Sequence, residues 1–208
     1  MEKDIYIKLL EQINDIQEMR LRELSSKDIF EKLLNVLLEV TSSEYGFIGE
    51  VLHNGEQPYL RTQAISNIAW DKETLKYFEK YSRTGLEFYN LKTLFGVTLS
   101  TGEAVISNNP SEDPRAGGLP PGHPELNTYL GAPLDANGEM IGMVGIANRE
   151  QGYDDEMLEF LKPLLHTCAS LIQSKVMIDD QQNCKEKFNE LSCKLDTRIS
   201  YLKGKLAD

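Results

Sequence analysis

Cysteine is scarce: three residues in 208, all late in the chain, at positions 168, 184 and 193. Their number is odd, and no C-x-x-C pair or Cys/His ligand spacing accompanies them. A disulfide framework and a zinc site are therefore not indicated, and free thiols on a helix in a reducing compartment are expected. Dense basic runs are missing too. With 22 Lys and Arg against 33 Asp and Glu, the formal charge is −11. Phosphate recognition rests on clustered Lys and Arg, so nucleic acid is not an expected partner; the acidity serves solubility. No apolar run reaches the roughly 18 residues that a membrane span needs. The opening "MEKDIYIKLLEQIND" interleaves charged and apolar residues, unlike a signal peptide. The expectation is a cytoplasmic protein without a membrane contact. Ser-His-Asp, Walker and metal-ligand constellations are also lacking, so no catalytic residue and no metal are predicted.

What is present reads as a mixture of helices and hairpins. Ile5, Leu9, Ile13 and Ile16 recur at helical spacing within residues 4–24. A second helix begins at a cap-like Ser25 or Ser26, gathers Ile29, Phe30, Leu33, Leu34, Leu37 and Leu38 on one face, and ends near Ser43. Residues 45–53 and 58–66 are strand-like and flank an Asn-Gly pair, which predicts a hairpin. "DKETLKYFEKYS" predicts a short helix, and "NLKTLFGVTLSTG" another, closed by Gly102. "EAVISN" reads as a strand. "TYLGAPLDANGEMIGMVGIANR" predicts a second hairpin around Asn137-Gly138. Gly142 and Gly145 within it imply a close approach by another backbone or a ligand, or tight packing.

From Asp154 onward a single helix of unusual length is predicted, with Leu158, Leu161, Leu165, Cys168 and Ile172 as its apolar face. Its second half keeps apolar spacing through Phe188, Leu191, Leu195 and Leu202, with Arg198 at a core position. A parallel coiled coil with a second subunit would cover those residues.

Between the third strand and the second hairpin lies "ISNNPSEDPRAGGLPPGHPEL", residues 106–126, dense in proline and glycine. As a linker it would split the sheet into halves too small to be stable. It is instead a long loop within one domain, and such loops are usually functional or disordered.

Together, "TGEAVISN", "DPR-GGLP-GHP", "LGAPL" and "IGMVGIANR--GYDDE" resemble the GAF domains of bacterial sensor histidine kinases and cyclic-dinucleotide signalling proteins. The resemblance is dense over residues 91–165 and weaker from 25 to 90. It implies an α+β fold: a central antiparallel sheet of five to six strands, terminal helices on one face, and a small-molecule pocket under the loop on the other. It also implies a homodimer through the N- and C-terminal helices, and a kinase or cyclase output domain in cis or trans. The organisation expected is an N-terminal helix at 1–24, a GAF-like sensory domain at 25–175 and a helical extension at 176–208. No output domain follows in this sequence, so a truncated piece and a stand-alone sensor are both open.

The loop itself fits the role of a pocket roof. Proline-rich backbone cannot join a ladder and can arch over a sheet, and Gly117 and Gly118 allow close approach. Asn108, Asp113, Arg115 and His123 could orient a ligand in an apolar cavity, or Asp113 and Arg115 could simply hold the loop to itself. Tyr129 and Phe95 would be core residues or a ligand platform.

Some relatives carry an Asn-Lys…Phe…Asp-Glu signature. Asn148, Arg149, Tyr153, Asp155 and Glu156 follow it loosely, with Asn148 closing a strand end and Arg149 pairing with Asp155. A bilin bound through cysteine at the usual loop position is disfavoured, because no cysteine precedes Cys168. Haem would need His53, His123 or His166 as axial ligand, and His166 reads as a buried helix residue. The lineage that reduces methionine sulfoxide needs a thiolate near the pocket, which this chain lacks. The cofactor stays open. The readings carried forward are a ligand-sensing domain, a ligand-free dimerisation module whose pocket is filled by Phe95, Leu119 and Tyr129, and a noncovalent pigment or haem sensor.

Overall fold

The computed structural model describes residues 3–22, 24–66, 85–119 and 123–205. It divides into two compact units, Met1–Ile172 and Gln173–Asp208. In the first, α1 (Lys3–Leu21) and α2 (Ser26–Thr41) precede a hairpin of β1 (Tyr45–Asn54) and β2 (Gln57–Ile65). A two-residue strand β3 (Glu87–Phe88), helix α3 (Leu94–Thr101) and β4 (Val105–Ser107) follow, then β5 (Tyr129–Ala136), β6 (Glu139–Ala147) and helix α4 (Asp155–Lys205). The six strands form one sheet in the order β3-β2-β1-β6-β5-β4, antiparallel at every pairing. β3 was not expected from the sequence. The helix predicted at "DKETLKYFEKYS" lies outside the described residues.

Local chemistry explains the element ends. Ser25 caps α2, its hydroxyl accepting from Asp28 N at 3.2 Å, and Ser42 closes the helix at φ 54°. The second hairpin turns on Asn137 (φ 55°) and Gly138 (φ 83°), as an Asn-Gly pair of this type should. The first differs from expectation: Asn54 pairs with Gln57, so the loop is Gly55-Glu56. Only the glycine of that loop has positive φ, at 64°, the pattern of a Gly-X turn.

Strand alternation sends side chains to two faces. Ile48, Leu130, Ala132, Leu134, Val144 and Ile146 meet Leu9 and Ile16 of α1, the apolar face of α2, and Phe160, Leu161, Leu164 and Cys168 of α4 in the main core. Gly142 and Gly145 answer to packing. A Cβ on Gly142 would lie 2.5 Å from Gly49 O and 2.7 Å from Ile172 Cδ1, and one on Gly145 would lie 2.4 Å from a Phe47 ring carbon. The opposite face carries Leu60, Leu99 and Met143 in one cluster, and Leu94, Val105 and Tyr129 in another.

His166, expected inside, is exposed, because its neighbours Leu164, Leu165, Thr167 and Cys168 take the inward positions of that turn. In the second unit, Met177 (65% exposed), Phe188 (71%), Leu191 (62%) and Leu195 (58%) lie open, interleaved with i,i+4 ion pairs such as Lys194–Glu190 at 2.6 Å.

Candidate functional site

The loop leaves β4 and crosses the α3 face of the sheet, pinned at intervals. Asn108 makes the first anchor: its Nδ2 donates to Tyr153 O at 2.9 Å and its Oδ1 accepts from Tyr153 N at 2.8 Å. Gly152, at φ 73°, makes room, since a Cβ there would come within 2.7 Å of Asn108 Oδ1. Tyr153 is 3% exposed, and its hydroxyl lies 2.7 Å from Ser43 Oγ, itself 2.7 Å from Thr41 Oγ1 at the end of α2. Burial pushes the Tyr153 phenol up to about 12.

Asp113 and Arg115 form the second anchor. Arg115 Nε and Nη2 reach the two carboxylate oxygens at 2.9 and 2.7 Å, and Arg115 N donates to Oδ1 at 2.9 Å. The same Nη2 donates to Ile106 O at 3.0 Å, which ties the fork to β4. The Arg115 hydrogen bond holds the Asp113 carboxyl well below the usual carboxylate range, with Ser107 adding to the effect. The pair thus bridges the loop to itself and to β4.

Ala116 then packs against the cluster of Leu94, Val105 and Tyr129. Gly117 passes so close to the start of α3 that a Cβ would fall 1.5 Å from Lys92 O, and Gly118 turns at φ 82° in open space. Leu119 is 45% exposed, so it does not fill a collapsed pocket. On the return limb, His123 Nδ1 donates to Pro124 O at 2.9 Å, and its ring meets Tyr45 edge-on at 5.7 Å. Asn148, at φ 60°, fastens this limb: Nδ2 donates to Glu125 O (2.9 Å) and Glu44 Oε2 (2.8 Å), and Oδ1 accepts from Asn127 N (2.9 Å). Arg149 does not take the expected partner. Its Nη1 donates to Gly152 O at 2.6 Å, the nearer acceptor across the tight turn that Gly152 makes.

Beneath the loop, α3 is capped by Thr93, which accepts from Gly96 N at 3.1 Å, and by Gly102 at φ 70°. Phe95 is half-buried, 5.6 Å from Phe88, which lies 6.0 Å from Phe47. Tyr129 is buried on the same face, its phenol raised by desolvation. The structure thus gathers Phe95, Asp113, Arg115, Gly117 and Tyr129 around one face, while Asn108 turns to the root of α4 and His123 to Tyr45. Thr98 of α3, not singled out from the sequence, is fully buried on this face. Nothing in its local sequence distinguishes it from the other threonines of the chain.

Within the first unit, cysteine lies on the other side of the sheet from this face. Cys168 sits in the core among the terminal helices, its thiol pushed up to about 12 by burial, and Cys184 and Cys193 belong to the second unit. Among the described residues, no group of three His, Cys, Asp or Glu side chains could hold a metal ion, and no helix is long and apolar enough to cross a membrane.

Comparison with known structures accords with this architecture. The GAF domain of an Acinetobacter phosphoenolpyruvate-protein phosphotransferase superposes with a TM-score of 0.62 at 16% identity, over 86% of this chain and 99% of that one. The GAF domain of the corresponding Coxiella burnetii protein gives 0.65 at 14% identity, over 84% and 98%. A free methionine-R-sulfoxide reductase from Neisseria meningitidis, solved with its substrate, gives 0.60 at 12% identity, over 86% and 96%. Identities this low establish a shared fold and leave function to the site. A comparison with curated proteins gives no match. GAF domains are in general non-catalytic regulatory modules that often dimerise and act with output domains. The family model described as GAF domain matches residues 23–173, most of the chain, and this protein belongs to the GAF domain family.

Proposed function

We propose that this GAF domain senses a small molecule held beneath the 106–126 loop and relays its presence through the terminal helices to an output domain. The observation that carries this reading is the double hydrogen bond between Asn108 and the backbone of Tyr153. It joins the first residue of the loop to the segment that opens α4, so a shift of the loop is felt at the root of that helix. A ligand acts through this joint only insofar as it binds the two loop positions with different affinity. Residues 25–175 form the sensory domain in this reading, and 176–208 a dimerisation or signalling extension. The spacing of exposed Phe188, Leu191 and Leu195 suits a parallel coiled coil with a second copy. A kinase or cyclase partner in two-component or cyclic-dinucleotide signalling fits such a helix.

Asn108, Asp113, Arg115, Gly117, Gly118 and His123 shape the roof in this reading, with Phe95 and Tyr129 below. The test is native mass spectrometry of the full chain as purified, beside Arg115→Ala and Leu191→Asp/Leu195→Asp. A retained small molecule that is lost from the first variant, and dimers lost from the second, are expected. Loss of both properties in Arg115→Ala counts against separate ligand and dimer functions. A ligand-free dimerisation module predicts dimers with no retained molecule.

A further inference from the structure

Between Gln181 and Leu195 the apolar side chains of α4 are Phe188, Leu191, Leu195 and two cysteines. Counted in sevens, Phe188 and Leu195 share one core position, a, and Cys184 and Leu191 share the other, d. Met177 is a d residue one heptad earlier. These side chains are exposed, Met177, Phe188, Leu191 and Leu195 by 58 to 71%, and Cys184 with them. Cys193 falls at f, on the opposite side of the helix, among polar residues. Thr197 Oγ1 donates to Cys193 O there at 2.9 Å.

The charges beside the stripe select a second copy of this chain, parallel and in register, as what covers it. Asp180 at g and Lys185 at e are both exposed. In a parallel, in-register pair each Asp180 faces Lys185 of the partner subunit, so opposite charges flank the layers of Gln181 and Cys184 on both sides. A shift by one heptad sets Asp180 against Ile178 or Ser192 and forfeits both pairs. Gln181, a polar residue at a, meets its like only when the two copies are in register. The stripe ends at Arg198, the next d position.

In such a pair each d residue faces its own copy. Packed helices lie about 8–10 Å axis to axis, with Cα atoms ~2.3 Å from each axis. Facing Cα atoms are then about 4–6 Å apart, the separation that a disulfide bridges. The two Cys193 thiols are held apart by the width of both helices, and Cys168 is buried in the core of the first unit.

We infer that Cys184 is a redox modification site, at which a small-molecule disulfide joins two copies of the chain through a Cys184–Cys184 bond. One Cys184 thiolate attacks the small disulfide, expels a thiolate and is left as a mixed disulfide. The Cys184 thiolate of the partner subunit then attacks the protein sulfur of that bond and expels the second small thiolate. Two protein thiols are oxidised, the small disulfide is reduced to two thiols, and the two protons pass to the expelled thiolates. The bond locks the paired helices at one layer, so the oxidised pair no longer separates. This rests on the paired-helix part of the function proposed above and adds a chemical control to it.

The full chain at micromolar concentration, with its Cys184→Ser, Cys193→Ser and Leu191→Asp/Leu195→Asp variants, is treated with oxidised glutathione at pH 8 and run on non-reducing gels. Wild type and Cys193→Ser are expected to give a covalent dimer that dithiothreitol reverses, and Cys184→Ser none. Pairing raises the facing thiol to a roughly millimolar effective concentration. Leu191→Asp/Leu195→Asp keeps Cys184 but loses the apolar stripe, and should cross-link at least about tenfold more slowly. A covalent dimer that persists in Cys184→Ser, equal rates with and without the stripe, or glutathione adducts at Cys184 without dimer overturn the inference. Native mass spectrometry of the reduced chain separates the failures. A noncovalent dimer that does not cross-link leaves the proposed pairing standing and removes the redox site, whereas a monomer removes both.

Discussion

Asn108 closes both hydrogen bonds of its side-chain amide on the backbone of Tyr153, a residue 45 positions later in the chain. The amide supplies a donor to the C=O and an acceptor to the N–H of one residue that belongs to no ladder. Asn108→Ala leaves both backbone groups without a protein partner and should cost ~1–3 kcal/mol. Asn108→Asp keeps the acceptor but sets an oxygen against the Tyr153 carbonyl, so it should not rescue. Urea unfolding measures both, and hydrogen exchange at residues 153–158 should quicken in the same variants. Unchanged exchange there would remove the physical basis of the relay.

Gly117 and Gly118 are adjacent but required for different reasons. Gly117→Ala drives a methyl group into the carbonyl of Lys92, and the loop must lift away from α3, a clash of the kind that costs ~1–3 kcal/mol. Gly118 has open space around it but holds φ 82°, so Gly118→Ala costs only ~1–2 kcal/mol of backbone strain. Asn tolerates this conformation, so Gly118→Asn should recover part of the loss at 118, while Gly117→Asn should recover nothing. Thermal melts of the four variants check the contrast.

The pair Asp113–Arg115 gives the loop an acid limit. The folded Asp113 carboxyl titrates below its ordinary value because Arg115 hydrogen-bonds its ionised form. A depressed carboxyl contributes stability that is complete above the unfolded value of ~3.9 and is lost as pH falls through the folded one. The gap in melting temperature between wild type and Asp113→Asn should therefore be constant from neutral pH down to about pH 5 and narrow progressively below about pH 4. A gap that is as wide at pH 2 as at pH 5 would show that the ion pair is not its source.

The three thiols should separate by reactivity. Cys168 is buried with its thiol raised to about 12, whereas Cys184 and Cys193 are exposed. Thiolate is the reactive form, so an aromatic disulfide reagent at pH 8 should label Cys193 at once and Cys168 only on unfolding. Cys184 lies four residues before Phe188, in line with the proposed coiled-coil seam. Its labelling should be slower in the wild type than in Leu191→Asp/Leu195→Asp, as peptide mapping can show.

Periodicity made most of the framework legible. The apolar face of α2, the cap at Ser25, the Asn137-Gly138 turn and the Gly102 stop depend on residues within one or two turns of each other, and all occupy their expected places. The first hairpin was legible as a hairpin but not in its turn residues. Asn54-Gly55 and Gly55-Glu56 are both acceptable centres locally, and the β1–β2 pairing selects the second. His166 misled for a similar reason: it adjoins an apolar stripe, and a rotation of one residue about the helix separates inside from outside.

The site was legible only as a region. Proline and glycine between residues 106 and 126 announce an arch, and the charged pair within it lies two residues apart. The partners that complete the arch are distant in sequence: Tyr153 for Asn108, Lys92 for Gly117, and Asn148 for Glu125 and Asn127. Thr98 gives no local sign at all, since its burial is a property of what surrounds it.

By itself the amino-acid sequence determined most of the helices and strands, the apolar faces that α2 and the first turns of α4 turn inward, and that a stiff segment interrupts the sheet; these follow from backbone preferences and hydrophobic spacing over a few residues. Tertiary structure alone decided which carbonyl, amide or hydroxyl each loop residue meets, because hydrogen bonds act over about 3 Å and the chain must fold before remote groups come that close.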